Sequence, residues 1–427
     1  MKNCFLLFNE YNKYRSDTMP FQSLYKIFVM NDNDTFFKIY QSRFHSEATT
    51  RFNLYNKENQ FFFFFHNDIQ SQITEIDNLS LKVNQIFSFL PEMAKKQYIK
   101  KSIINEIMYT NEIEGVISTR KDINNIFEDL KINIKQKNRL ESIVNKYKLL
   151  MNKTIIELKN SYDLRDLFDG LLFNEIKEDN KNNLPDGEIF RKNGVYVYRN
   201  SEKVIHEGIN PESKIIDYID KSLDILNNEK INIYVRTAIF HYLFAFIHPF
   251  YDGNGRLNRF ISSYVLSQKD HPILAYRLST TIKENLSIYL DAFKHTNDAR
   301  NKGDLTTFVY EFLNIIVDAY QKLELYGLEK INQINKYSII VDGLVNKNVI
   351  NKKEKKLLLY LIHCELFSEY GVSKLDLQKI MNCSHVTCIN YINKLKQLSF
   401  VRENKFDKWL YFGANLEQIE LTSKEKK

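Results

Sequence analysis

Apolar residues recur at three- and four-residue spacing over long stretches of this chain, and few residues interrupt them. One such pattern runs from Ile69 through Ile73, Ile76, Leu79, Leu81 and Val83 to Phe87 and Leu90, where Pro91 breaks it. A second places Ile99, Ile103, Ile104, Ile107 and Met108 on one helix that Gly115 ends. The same periodicity predicts helices at about 120–150 and 161–176, around Ile215, over Ile231–Ile247 and through Leu257, Phe260, Ile261, Val265 and Leu266. Gly303-Asp304 reads as a stop followed by an N-cap, opening a helix from Leu305 to about Leu325. Only 12 Gly and 6 Pro accompany 44% hydrophobic residues, which argues against repeated tight β-turns. The expected fold is mainly α with minor β, and 427 residues suggest two or three domains.

Three segments depart from the helical pattern. Phe61–Phe65 is a short apolar run that reads as a buried strand. Phe190-Arg-Lys-Asn-Gly-Val-Tyr-Val-Tyr198 joins an Asn-Gly turn signal to an alternating β-branched and aromatic run, the pattern of a short hairpin. After a helical connector at 326–350, residues 351–427 form a separate module. Its expected helices are Leu357–Phe367, Ser373–Met381 and Ser384–Leu398, and its expected wing strands are Val401–Lys405 and Lys408–Phe412. That order resembles a winged helix-turn-helix.

Several classes of function fall away. Cys4, Cys364, Cys383 and Cys388 show no CxxC pair or Cys/His ligand spacing, so they read as semi-buried thiols in a reducing, cytoplasmic protein. The apolar run Cys4–Phe8 is too short for a signal segment, and no stretch approaches the roughly 18 residues a spanning helix needs. A net charge of +7 over this length is mild and weak evidence for nucleic acid.

The chemistry concentrates in His248-Pro-Phe-Tyr-Asp-Gly-Asn-Gly-Arg-Leu-Asn-Arg259. Gly253, Asn254 and Gly255 precede a helix, so successive backbone N–H groups and the helix N-terminus can face one anion. Arg256 and Arg259, three apart, can hold phosphate oxygens from one helical face. Asp252 offers a hard oxygen suited to Mg²⁺, and His248 is the residue type best matched to a general base near neutral pH. Taken singly, a histidine on an apolar helix is an ordinary core residue and Gly-Asn-Gly an ordinary turn. Within twelve residues they assemble one nucleotide site that is neither a P-loop nor a Rossmann fingerprint.

This run resembles the signature of the Fic family, His-Pro-Phe-x-Asp/Glu-Gly-Asn-Gly-Arg-x-x-Arg, at every defined position, and the similarity in element order covers roughly residues 60–325. The resemblance implies a Fic helical core with a β-hairpin flap, followed by the winged helix-turn-helix-like module. Its divisions are an N-terminal Fic-associated region at 1–90, a catalytic core at 91–325, the connector at 326–350 and the module at 351–427. It implies a protein adenylyltransferase that moves AMP from ATP onto a Ser, Thr or Tyr hydroxyl. His248 is then the base, Asp252 the Mg²⁺ ligand, and Gly253, Asn254, Gly255, Arg256 and Arg259 the nucleotide-binding group. Val195, Tyr196 and Val197 of the flap dock the target by strand addition.

Thr110-Asn-Glu-Ile-Glu-Gly115 fits the family's inhibitory motif, Ser/Thr-x-x-x-Glu-Gly/Asn, on a helix near 103–115. By itself this is a capped helix end with a solvated glutamate. Beside the signature, it implies that Glu114 pairs with Arg259 while Thr110 anchors the helix, and that the same glutamate can serve AMP removal. The implied partners are a hydroxyl-bearing protein substrate, the chain itself as a target of self-modification, and a second copy in a homo-oligomer. The competing function is a DNA-binding regulator with the Fic domain as nucleotide sensor. In it Ser384-His-Val-Thr387 starts a recognition helix and Lys394, Lys396, Arg402, Lys405 and Lys408 meet phosphates.

Overall fold

Four of the five consecutive phenylalanines Phe61–Phe65 lie in one strand and explain why it shows no alternation of apolar and polar residues. In the computed structural model, which describes residues 20–131, 140–151, 154–199, 203–269, 273–406 and 409–424, strand β1 (Thr49–Asn56) pairs antiparallel with β2 (Asn59–Phe64). Phe61, Phe62, Phe63 and Phe64 are all buried because both faces of β2 are covered. Phe62 packs edge-on against Phe44 of a helix (Asn33–Phe44), whereas Phe61 packs against Tyr242 and Phe246 of another (Ile233–Ile247). The expected strand is therefore present, with Phe65 just beyond its end and more than a third exposed.

The helices are numbered in chain order. They are α1 (Leu24–Met30), α2 (Asn33–Phe44), α3 (Asn67–Ser88), α4 (Glu92–Ile113), α5 (Arg120–Lys131), α6 (Glu141–Met151), α7 (Ser161–Asp179), α8 (Glu212–Asn227) and α9 (Ile233–Ile247). The remainder are α10 (Asn254–Lys269), α11 (Leu278–Glu284), α12 (Leu286–Asn297), α13 (Thr306–Asn346), α14 (Lys352–Phe367), α15 (Lys374–Met381), α16 (His385–Gln397) and α17 (Leu416–Lys424). The protein is mainly α with small antiparallel sheets. Among the described residues, no helix is long and apolar enough to cross a membrane.

The chain divides into two compact units, one of residues 1–80 and 104–320, the other of residues 81–103 and 321–427. At the centre of the first lies α9, whose sequence is apolar on every face because neighbours, α8 and α10 among them, surround it. Its one internal histidine, His241, is fully buried and satisfied by Ser262 Oγ and Tyr289 Oη, each at 2.8 Å. The Gly303-Asp304 step caps α13 as expected, with Asp304 Oδ1 accepting from Thr306 N at 2.9 Å. It also closes the sheet edge: Phe62 N donates to Gly303 O at 3.1 Å and Leu305 N to Phe62 O at 2.8 Å. Gly303 has φ +80°, and a Cβ there would meet the Gln60 carbonyl oxygen at 2.5 Å.

In the second unit, Asn351 and Glu354 form a capping box that starts α14. Strands β5 (Val372–Ser373), β6 (Val401–Phe406) and β7 (Trp409–Ala414) make a three-stranded antiparallel sheet in the order β5-β7-β6. Leu357, Leu361, Leu377, Ile392, Leu395 and Phe412 share its core with Tyr337, Val341 and Leu344. The two strands expected near 401–412 are thus present; β5 and α17 complete the element order.

Three expectations need correction. The segment around 120–150 is two helices, α5 and α6, and residues 132–139 between them lie outside the described residues. The helix expected to end near Leu325 does not end there: α13 runs unbroken for 41 residues to Asn346, through most of the stretch expected as a helical connector, because Ile and Val recur through its polar residues. The hairpin does not turn at Asn193-Gly194. Strand β3 (Tyr196–Arg199) begins after it and pairs with β4 (Lys203–Glu207), with Tyr196 opposite Glu207 and Val197 opposite His206. An Asn-Gly step beside a single alternating strand cannot say which strand is the partner. Cys4 and Lys408 also lie outside the described residues.

Candidate active site

His248 occupies the C-terminal end of α9 in a left-handed conformation, φ 53° and ψ 63°, with its N–H donating to Phe244 O at 3.0 Å. That conformation ends the helix and turns the chain into Pro249 and Phe250. Phe250 is fully buried, stacked on Phe168 at 3.8 Å between centroids and edge-on to Phe190 at 5.3 Å. The loop is then closed by the side chain of Asn254: its Oδ1 accepts from Phe250 N at 3.0 Å and its Nδ2 donates to Phe250 O at 2.8 Å. The Asn254 amide therefore holds the loop, while its backbone stands at the first turn of α10. Gly253, with φ +81°, makes the turn between them, and a Cβ there would press on Leu172 at 2.7 Å.

The nest this builds faces the N-terminus of a sixteen-residue helix, α10, which carries no acidic residue in its first turn. Asp252 borders it, its Oδ1 accepting from Gly253 N and lying 3.2 Å from Arg256 Nη2. Arg256 is buried, and its Nη1 lies 2.9 Å from Oε1 of Glu175, itself 3% exposed, on α7. Arg259 is buried too: Nε donates to Thr110 Oγ1 at 2.8 Å, and Nη2 donates to Thr110 O at 2.9 Å and to Glu114 Oε1 at 2.8 Å. Thr110 and Glu114 lie one turn apart on α4 and just beyond its end. The Glu114 carboxylate reaches so close to the start of α10 that any Cβ at Gly255 would collide with it.

Burial pushes the His248 imidazole down to about 4, helped by His206 and Arg191 and opposed by Glu114. The ring is consequently neutral near pH 7, the state a base requires. Burial by itself would lower Arg259, but the Glu114 carboxylate, Tyr289 and Tyr147 together hold it above its usual value. One turn below Thr110, Glu106 is buried and accepts from Ser279 N at 2.8 and 2.9 Å; burial raises it to about 7 against those N–H groups and Arg259.

The flap residues stand beside this arrangement. Val195 precedes β3, and its carbonyl accepts from Gly208 N at 3.0 Å; Tyr196 is half exposed, and Val197 pairs with His206. His206 Nε2 lies 2.6 Å from Phe246 O, joining β4 to the last turn of α9. The loop before β3 is fixed by Tyr251, whose hydroxyl donates to Asp186 Oδ1 at 2.9 Å and accepts from Asn193 N at 3.0 Å. Glu212 gathers N–H groups of Glu188, Ile189 and Phe190 at 3.1, 2.8 and 2.8 Å. Arg191, fully buried, donates Nε to His248 O at 2.9 Å.

A family model described as Fic/DOC family matches residues 160–266, the stretch that contains α7, the flap, α9, the signature loop and most of α10. Residues 160–266 are a Fic domain. A curated relative, a probable protein adenylyltransferase of Aquifex aeolicus, is 26% identical over 233 residues, which is 49% of this chain and 68% of the relative. Among solved structures, a Fic family protein from Desulfovibrio desulfuricans aligns at TM-score 0.47 and 19% identity, over 80% of this chain and 96% of that one. A Fic-1 fragment from C. elegans aligns at TM-score 0.44 and 15% identity, over 72% and 82%.

The Fic domain contains His248, Asp252, Arg256 and Arg259, whereas Thr110 and Glu114 reach it from upstream of the matched segment. Sequence reasoning missed Arg191, Glu175, Glu106, Tyr251 and His206. Tyr251 fills an undefined position of the signature run and Arg191 lies in the Phe190–Tyr198 run, but neither pattern assigns them a role, and each of the five is identified only by the distant group it touches. Among the described residues no three His, Cys, Asp or Glu side chains converge on one point. Asp252 presents a single, partly exposed carboxylate, the donor set of a Mg²⁺ that takes most of its remaining ligands from phosphates and water.

Proposed function

We propose that this chain is a protein adenylyltransferase restrained by its own Glu114. The observation that carries the reading is the placement of His248 at the head of a loop whose far end, the N-terminus of α10, is bordered by Asp252, Arg256 and Arg259. His248 takes the proton of a Ser, Thr or Tyr hydroxyl. The hydroxyl oxygen attacks the α-phosphorus of ATP, the bond to the β-phosphate breaks, and pyrophosphate leaves. Charge on the departing phosphates is met by the first N–H groups of α10 and by Arg256, so catalysis is positioning plus electrostatic stabilisation. Asp252 would hold Mg²⁺, which when bound neutralises phosphate charge. Target peptide lies along the flap at Val195, Tyr196 and Val197.

Arg259 is the residue the nucleotide needs for its γ-phosphate, and Glu114 holds it. The brake is released when Glu114 withdraws. The same carboxylate, engaged by Arg259 through Oε1 and about 30% exposed, orients a water for AMP removal in this reading. The full chain incubated with α-labelled ATP and Mg²⁺ tests both ideas. Strong labelling of Glu114→Gly, weak labelling of wild type and none of Glu114→Gly/His248→Ala are expected. Equal labelling of wild type and Glu114→Gly would remove the brake, and release of AMP from modified protein by wild type alone would establish the second activity.

The DNA-binding alternative gains little from the C-terminal module. Lys394 pairs with Glu354 at 3.5 Å, Arg402 with Glu365 at 3.6 Å, and Lys396 with Glu403, so three of the basic residues it requires face internal carboxylates. Phosphate contacts would have to displace those partners.

A further inference from the structure

Arg191 is a buried cation without a carboxylate. Among the described residues no acid lies within ion-pair distance of it, and all its hydrogen-bond partners are backbone carbonyls. Nε donates to His248 O at 2.9 Å, Nη1 to Asn193 O at 2.7 Å, and Nη2 to Ile209 O at 2.8 Å and Ile247 O at 3.4 Å. These four oxygens fall into two pairs. Ile247 and His248 end α9, where carbonyls have no intrahelical partner and the helix carries partial negative charge. Asn193 and Ile209 flank the two strands of the hairpin, one before β3 and one after β4. A rigid planar fork can meet both pairs at once, which a lysine ammonium cannot do. The space is tight, for a Cβ on Gly208 would approach Arg191 Nη2 to 2.5 Å and Val195 Cγ2 to 2.8 Å.

We propose that Arg191 is a positioning residue for the transfer reaction, locking the backbone of His248 to both ends of the docking hairpin so that base and target strand move as one unit. The proposal rests on the adenylyltransferase reading of the site. Its geometry bears on His248 in two ways. The bond to His248 O holds the left-handed residue that aims the imidazole. The fixed positive charge also disfavours the imidazolium, in company with His206 on β4 and the burial of the ring, and against Glu114 beyond α4. Nucleotide phosphates meet a different surface, the start of α10, which Arg191 does not touch.

Two variants in the full-length Glu114→Gly chain test this, Arg191→Lys and Arg191→Met. The expected result is a kcat lowered about a hundredfold, the cost of a base misplaced by about 1 Å. The Kd of a non-hydrolysable ATP analogue should stay within about threefold. In Arg191→Met, the His248 titration followed by NMR should move up towards the ordinary value of about 6.5, and Arg191→Lys should move it less. Amide exchange in β3 and β4 should quicken in both. If Arg191→Met does not fold, Arg191→Lys decides through kcat and amide exchange. A variant that melts at lower temperature yet keeps kcat, His248 titration and hairpin protection would overturn the proposal. Should the Glu114→Gly parent transfer no AMP at all, the functional reading fails by itself, and the titration and exchange measurements still decide the role of Arg191.

Discussion

Oε1 of Glu114 and Nη2 of Arg259, 145 residues apart in the chain, lie 2.8 Å from each other. Arg259 is 1% exposed, and two further bonds to Thr110 fix the orientation of its guanidinium. Glu106, Thr110 and Glu114 recur every four residues, so one face of α4 and its extension meets the site at three heights. The lowest of them, Glu106, is tied to the start of α11 through Ser279 N. Movement of Glu114 therefore requires the extension of α4 to loosen from an anchored base.

Replacing Glu114 by Gly should raise AMP transfer about tenfold to a hundredfold, the equivalent of losing one charge-assisted hydrogen bond of roughly 1.5–3 kcal/mol. Glu114→Gln keeps a neutral bond and should give a smaller rise. Initial rates of self-modification at fixed ATP measure both, and a Gln variant faster than Gly would contradict the electrostatic account.

Thr110→Val preserves shape but removes the acceptor for Arg259 Nε. A buried N–H left unpaired costs about 1–3 kcal/mol, so the urea midpoint should fall while the fold persists. Thr110→Ser should restore it. Because Thr110 O still accepts from Nη2, transfer should rise less than in Glu114→Gly.

Glu175→Ala strands the Arg256 guanidinium in the interior with Asp252 as its remaining partner. Breaking a buried pair in this way costs about 3–5 kcal/mol, and chemical denaturation should read that loss directly. Affinity for ATP should also fall, since Arg256 loses the group that orients it. Unchanged stability would mean that water reaches Arg256 in the folded chain.

Acid should destabilise the protein between about pH 6.5 and pH 4. Burial lowers His248 and His363 to about 4 and His241 well below its usual value. In that window the unfolded chain binds more protons at these three positions, so stability rises with pH and is fully recovered above about 6.5. Glu106, raised to about 7, acts in the opposite sense, because the folded state holds its proton up to that pH. Denaturation midpoints measured from pH 4.5 to 7.5 should therefore climb, and more steeply in Glu106→Gln. On the same grounds, protonation of His248 should not limit transfer at any pH above about 5.

Legibility in the sequence followed contiguity. The helical periodicity of Ile69–Leu90, the apolar run Phe61–Phe65, of which Phe61–Phe64 are buried, and the Gly303-Asp304 cap were readable because each depends on neighbours within a few residues. His248–Arg259 was readable for the same reason, as was the motif from Thr110 to Gly115. The hairpin was legible as a strand but not as a pairing: nothing in Gly194–Tyr198 names Lys203–Glu207 as its partner. The extent of α13 was hidden by polar residues that favour no other conformation.

By itself, the sequence determined a mainly helical chain with one glycine-framed loop at the start of a helix, since backbone periodicity and the glycines of a tight turn act locally. The pairing of Glu114 with Arg259, with Thr110 as anchor, is what the resemblance implied. Tertiary structure alone decided that Glu175 reaches Arg256 and that Arg191 reaches the carbonyl of His248. Buried charges and orphan carbonyls must find partners wherever the fold presents them, and that requirement has no spacing along the chain.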